Sequence, residues 1–159
     1  MQQSVPIQAM WKAQIMGRHV LLDPSGQQHG TFQRTGKTLR DGKAEVQGQP
    51  FLISQRGVGT SRTITATTTE GYDLARLDVG STLWTGTVIG PGFGRLDVRR
   101  KLGLTSRFTF NAGPTQIVSA QRKGRSTEIF FLPDVPMRAP VLLVLGLALV
   151  QTHHRATSN

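Results

Sequence analysis

Along residues 1 to 132 the apolar positions recur mostly at every second residue, and glycine-centred polar clusters interrupt them every 8 to 15 residues. That rhythm predicts short strands. In "HVLLDPSGQQHGTFQRTG", His19 to Asp23 runs into Pro24-Ser25-Gly26, where proline suits the first central position of a tight turn and glycine supplies positive φ, and "HGTFQRTG" returns as a strand. "AEVQG", "PFLISQ" and "RTITATTTE" follow, with Ile64 and Ala66 alternating against Thr63, Thr65 and Thr67 in a β-branched run.

Further on, "EGYDLARLDVG" turns at Gly71 and is expected to face Tyr72, Leu74 and Leu77 inward, and "STLWTGTVIG" offers Leu83, Trp84, Val88 and Ile89. "GRLDVRRKL" alternates Leu96 and Val98 against Arg95, Asp97 and Arg99. "SRFTFNAGPTQIVSAQRKGRSTEIFFL" reads as three strands split at Asn111–Pro114 and Lys123–Arg125, with Phe108 and Phe110 turned to the core. Ten to twelve strands result, enough for a sandwich or a closed barrel.

The carboxy-terminal stretch "PVLLVLGLALVQTHHR" breaks the pattern. Val141 to Val150 is an unbroken apolar or small run, entered past Pro133, Pro136 and Pro140 and ended by Gln151, His153, His154 and Arg155. It is longer than an ordinary strand and apolar all round, so it predicts a helix over about 138–152 that is buried on every side. Gly146 costs that helix roughly 1 kcal/mol relative to alanine but permits a close approach by another backbone. From Ala139 to Val150 it reaches about 18 Å, against the roughly 30 Å of a hydrocarbon core, and Asp134 and Arg138 stop its extension. A plug inside the chain's own barrel is therefore preferred to a membrane anchor or a docking helix. Its leucines and valines, at about 1.5–3 kcal/mol each, supply a core that threonine-rich strands lack.

Composition refines this picture. The 159 residues suit one domain, 1–159, and contain no cysteine, which excludes disulfides, thiolate chemistry and cysteine-held metal clusters. The amino terminus carries its positive charges behind the first apolar residues and has no secretory h-region, so a cytoplasmic protein, peripheral at the membrane where it meets one, is expected. Nineteen Lys and Arg against nine Asp and Glu give a formal charge of +10, which favours anionic partners.

The basic residues concentrate at Arg95, Arg99, Arg100, Lys101, Arg107, Arg122, Lys123 and Arg125, opposed between residues 90 and 130 only by Asp97 and Glu128. Strand spacing puts Arg95, Arg99 and Lys101 on one face, with neighbouring hairpins bringing Arg107 and Arg122 to Arg125 alongside. Arginine forks and lysine point charges suit anionic headgroups. The plainer reading is a solvated face that keeps the barrel soluble and blunts strand edges. "GPGFGR" (Gly90–Arg95) follows a strand but leads into another, so it is a hairpin and not a dinucleotide or phosphate loop, with Phe93 at an exposed tip able to dip into lipid.

His19 and His29 flank the Pro24–Gly26 turn and face each other in this reading, with Asp23 near. No third histidine or second shell can be placed, so no metal or other cofactor is expected. His153 and His154 diverge by about 100° on a helix and make a polar end to it. No G-x-S-x-G elbow occurs, and Ser25, His29 and Asp23 combine only by chance, so no enzyme is expected.

The strand ending "LLDPSGQQHGTFQR", the second turn near "TTEGYDLARL", the basic "DVRRK" strand and "EIFFLPDVPMRAPVLLVLGLALV" together resemble the tubby C-terminal-like superfamily, nearest its LURP-one-related and phospholipid-scramblase-like group, over about Trp11 to Arg155. The resemblance implies a twelve-stranded antiparallel barrel enclosing a hydrophobic helix, and it permits phosphoinositide binding through basic surface residues. Without cysteine there is no palmitoylated cluster, and no acidic calcium-binding loop occurs, so lipid scrambling is not implied. The expectation is a non-enzymatic binding or scaffold domain for anionic phospholipid. Its alternatives are a protein-interaction or structural module meeting an acidic protein, a nucleic-acid binder, or a tail-anchored protein. No small-molecule substrate is inferred.

Overall fold

In the computed structural model, residues 6–35, 41–58, 61–80, 85–101, 107–132 and 139–157 are described, the side chains of 58 and 154–157 excepted. Twelve strands form: β1 (Gln8–Ala13), β2 (Arg18–Leu22), β3 (Gln28–Thr35), β4 (Asp41–Val46), β5 (Gln49–Val58), β6 (Ser61–Thr67), β7 (Asp73–Val79), β8 (Gly86–Gly90), β9 (Gly94–Lys101), β10 (Arg107–Ala112), β11 (Thr115–Lys123) and β12 (Ser126–Phe131). Each pairs antiparallel with its sequence neighbours, and β1 pairs with β12 from Gln8–Phe130 to Trp11–Thr127, which closes the barrel. Closure removes both sheet edges and leaves a lumen that must be filled.

One helix, α1 (Pro140–Thr157), fills it. Every position from Val141 to Val150 is buried, and burial around a full helical circumference over ten residues requires walls on all sides. The helix starts two residues later and ends five later than the spacing predicts, because its last turns continue past the apolar run to the barrel mouth. Gly146 serves a close approach, though by side chains and not by a second backbone. A Cβ there would lie 2.7 Å from Ile129 Cδ1 and 3.3 Å from Ala120 Cβ. The Trp11 indole Nε1 donates to the Leu143 carbonyl at 2.8 Å and ties β1 to the helix. No described helix is long and apolar enough to cross a membrane.

Local chemistry explains the hairpins. Asp23 Oδ1 accepts from the amides of Ser25 (2.9 Å) and Gln27 (3.0 Å), which fixes the β2–β3 turn. Gln47 and Gly48 both have positive φ (51° and 81°), the paired left-handed conformation that a two-residue hairpin between twisted strands requires. Gly90 to Gly94 is likewise a hairpin turn between β8 and β9.

One inward assignment differs from the sequence reading. Tyr72 is 73% exposed in the β6–β7 turn. Ile89 is exposed on the outer face of β8. The Ala66/Thr67 register shift detaches Tyr72 from the alternation that buries Leu77 and half-buries Leu74. Leu83 and Trp84, the proline region 133–136, Asp134, Arg138, and the side chains of His154 and Arg155 lie outside the described residues.

Candidate anion-binding end of the barrel

All strands run between two ends of the lumen. At one end α1 enters beside Phe51, Leu74, Pro91 and Phe93. At the other, Gln151, Thr152 and His153 emerge among the ends of β1, β3, β5, β9 and β11 and the starts of β2, β6, β10 and β12. The registers decide which side chains face inward here. Arg100 pairs with buried Phe108, Arg122 with buried Thr127, and Arg62 with buried Val79. Arg34 lies two residues beyond Phe32, itself buried, with its guanidinium 5.5 Å from that ring. Four arginines thus occupy inner-face positions at one mouth. None of the described carboxylates occupies an inner-face position at this end: Asp41, Asp78, Asp97 and Glu128 all sit on outer faces.

The eight basic residues singled out in the sequence are therefore divided by the wall. Arg95, Arg99, Lys101, Arg107 and Lys123 lie on the outside, where Arg107 opposes Lys101, Arg95 approaches Asp97 at 3.9 Å and Lys123 approaches Glu128 at 3.7 Å. Such exposed pairs contribute between zero and about 1 kcal/mol. Arg100 and Arg122 face the lumen, and Arg125 stands at the rim in the β11–β12 turn. Arg122 and Arg125 line one open pocket of about 190 Å³ with Ala13, Gln14, Gly17, His19, Thr127 and Gln151.

A polar relay organises that pocket. Arg34 donates to Gln151 Oε1, which directs Gln151 Nε2 toward His19 Nε2 at 3.2 Å. The amide nitrogen can only donate, so His19 Nε2 accepts and the ring proton resides on Nδ1. The His19 pKa is depressed by burial first, then by the Arg34 guanidinium, with a smaller push from Arg125, while the Gly17 backbone partly offsets them. His19 is only 7% exposed, and Nδ1 makes no hydrogen bond of normal geometry. The Nε atoms of Arg62 and Arg100 are buried without a partner too.

The turn at Ile15–Gly17 forms the outer lip. Met16 holds a left-handed conformation (φ 60°, ψ 37°), strained for a side-chain-bearing residue by roughly 1–3 kcal/mol. It is 88% exposed and Ile15 79%. Two large aliphatic side chains thus project into solvent beside guanidinium groups.

The remaining candidates resolve differently. Phe93 is not an exposed tip: it is only 7% exposed and folds over Gly90, where a Cβ would lie 2.7 Å from its ring, to close the end where the helix enters. His19 does not face His29, since it pairs with Phe32 farther along the strands. His29 Nε2 instead meets Asp23 Oδ2 at 2.7 Å, while Ser25 Oγ donates to Asp23 Oδ1 at 2.6 Å. Here the carboxylate sits between hydroxyl and imidazole, so the histidine cannot take the serine proton as a catalytic triad requires. The Ser25 hydroxyl, then His29, hold Asp23 well below the usual carboxylate range. No group of three or more metal-ligating side chains occurs among the described residues.

Sequence reasoning missed Arg34, Arg62, His19 and Gln151 as neighbours, and with them the Ile15–Met16 lip. The signal was parity. Arg34 follows Phe32 by two, Arg100 follows Val98 by two, Arg122 follows Ala120 by two, and Arg62 precedes Ile64 by two, so each continues a core-facing row past the end of the hydrophobic filling.

No family model, curated protein or solved structure matches the chain.

Proposed function

We propose that this protein is a non-enzymatic module that docks the arginine-lined end of its barrel on an anionic phospholipid surface. The observation that carries this reading is that solvent-projecting Ile15 and Met16 lie in the connection whose Gln14 and Gly17 line the same pocket as Arg122 and Arg125. Aliphatic side chains in water gain by entering an acyl-chain boundary, and cations beside them gain from an anionic leaflet at about 1 kcal/mol per residue. A merely solubilising charge distribution explains the arginines of the outer wall but gives no reason for a strained, exposed Ile-Met pair. The resemblance to tubby-like barrels permits an anionic phospholipid ligand without assigning one. The docking face proposed here is the mouth, with the outer row of Arg95, Arg99, Lys101, Arg107 and Lys123 as a flanking electrostatic contribution.

Vesicle flotation tests it. Binding is expected with phosphatidylcholine vesicles that contain an anionic lipid, to weaken with salt, and to fall about tenfold or more in the Ile15→Ser/Met16→Ser double variant, since apolar burial of this size is worth more than 1.4 kcal/mol. Equal binding to neutral and anionic vesicles, or an unchanged double variant, overturns the reading.

A further inference from the structure

The geometry points to a specific phosphate-monoester site within that mouth, formed by Arg122 and Arg125 beside the His19 ring, between the Ala13–His19 connection and the β11–β12 turn. It rests on the reading of the mouth as an anionic-lipid docking end and names the chemical group that the mouth selects.

Three features carry it. First, the pocket of about 190 Å³ has many times the volume that one water needs, and its lining of Ala13, Gln14, Gly17, His19, Arg122, Arg125, Thr127 and Gln151 contains no carboxylate. The other open pockets in the same half of the wall are different. One over β1, β2 and β12 includes Asp23 and Glu128, and one over β3 to β5 includes Glu45. Second, neither Arg122 nor Arg125 has a hydrogen-bond acceptor or ion-pair partner among the described residues. Guanidinium forks in that condition match the oxygens of a phosphate bidentately. Third, the Arg34–Gln151–His19 relay holds the His19 ring in the pocket wall beside these arginines, within electrostatic reach of an anion bound there.

The negative end of α1 is the competing use for these arginines. A helix C-terminus carries about half an elementary charge, and Arg34, Arg62, Arg100 and Arg122 bring four positive ones, so the mouth stays strongly positive after that neutralisation. A monoester is preferred to a diester for two reasons. It carries close to two charges at neutral pH and exposes three terminal oxygens, enough for two arginine forks. A phosphodiester, flanked on both sides by carbon, presents two.

The experiment compares phosphatidylcholine vesicles bearing phosphatidic acid with vesicles bearing phosphatidylglycerol at matched surface charge, and titrates inorganic phosphate and glycerol 3-phosphate in parallel. The wild type is expected to bind the phosphatidic acid vesicles about tenfold more tightly, and Arg122→Gln and Arg125→Gln each to reduce that preference toward unity. Arg125 is exposed in a turn, so its variant keeps the fold even where half-buried Arg122 perturbs it, and thermal midpoints verify this. Arg122→Lys is expected to keep salt-sensitive vesicle binding while losing most of the preference. Inorganic phosphate is expected to shift the His19 ring nitrogens in nitrogen-15 NMR spectra of the wild type and not of Arg122→Gln.

Equal binding of the two anionic vesicles, with both variants unchanged, overturns the site and leaves the docking reading intact. Phosphate-dependent His19 shifts with no binding to any vesicle overturn the docking reading and leave an oxyanion site for a soluble phosphate ester.

Discussion

At the end where α1 enters, Phe93 lies over Gly90 and lines an apolar pocket of about 160 Å³ with Phe51, Leu74, Pro140 and Val141. At the end where α1 finishes, the corresponding inner-face positions hold Arg34, Arg62, Arg100, Arg122 and His19. The same strands build both ends, so the difference comes from which residues occupy the last core-facing position of each strand. Apolar residues there seal the lumen and stabilise it. Arginines there do not seal it: Arg34 donates to Gln151 and Arg62 to the Gly57 carbonyl, while the Nε atoms of Arg62 and Arg100 go without partners. Keeping several like charges, some of their nitrogens unpartnered, inside a mouth costs stability, which is the expected signature of a site whose complement comes from outside.

Substitution at the sealed end is expected to have the largest effect. Phe93→Ala removes a ring buried against the helix start and leaves a gap that the Gly90 backbone cannot fill, so unfolding free energy falls by about 3 kcal/mol in chemical denaturation. Vesicle affinity of the folded fraction stays at the wild-type level. A comparable loss of affinity without loss of stability would reverse the roles assigned to the two ends.

At the arginine end the sign changes. Arg100→Met keeps the aliphatic stem, removes a guanidinium whose Nε is buried without a partner, and relieves repulsion from its neighbours. Stability is expected to rise or to hold within about 1 kcal/mol, while binding to anionic vesicles weakens. A clear drop in stability would mean that Arg100 is chiefly a structural cap for α1.

The two ends were not equally legible in the sequence. The sealed interior followed from period-two alternation and from an apolar run too long for a strand and too short for a bilayer, and those signals place Ile64, Leu77, Val98, Phe108 and Phe110 where they are. The arginine end was legible only in part, because the basic residues were grouped by nearness in sequence. Arg99, Arg100 and Lys101 are consecutive, yet the pleat sends Arg100 to the opposite side of the wall. Arg34 and Arg62 belong to the mouth through pairings that no local window contains. His19 looked like a partner of His29 across a hairpin. The strand carries it past the turn to the far rim, where it pairs with Phe32 and meets Gln151, 132 residues away. Phe93 was misread because tip residues of hairpins are usually exposed. Here the tip bends over the lumen, and only the position of α1 reveals what it covers.

The smallest expected effect is also the finest probe of the contrast. The His19 pKa is lowered from its ordinary 6.5 by burial and by Arg34 and Arg125, so the unfolded chain takes up a proton at this ring before the folded one does. The contribution is fully present above about pH 6.5 and is lost as pH falls from there toward the folded-state value, below which it no longer changes. Thermal midpoints of the wild type are therefore expected to decline over that window more steeply than those of His19→Gln, with the other three histidines common to both proteins and cancelling in the difference. Inorganic phosphate offers a further test, since an anion held by Arg122 and Arg125 favours the imidazolium and raises the folded pKa. The difference between wild type and variant is expected to shrink when phosphate replaces an uncharged buffer at equal ionic strength. A difference that ignores phosphate, beside a normal decline with pH, would show that His19 senses only its own arginines and that the mouth takes no oxyanion at that position.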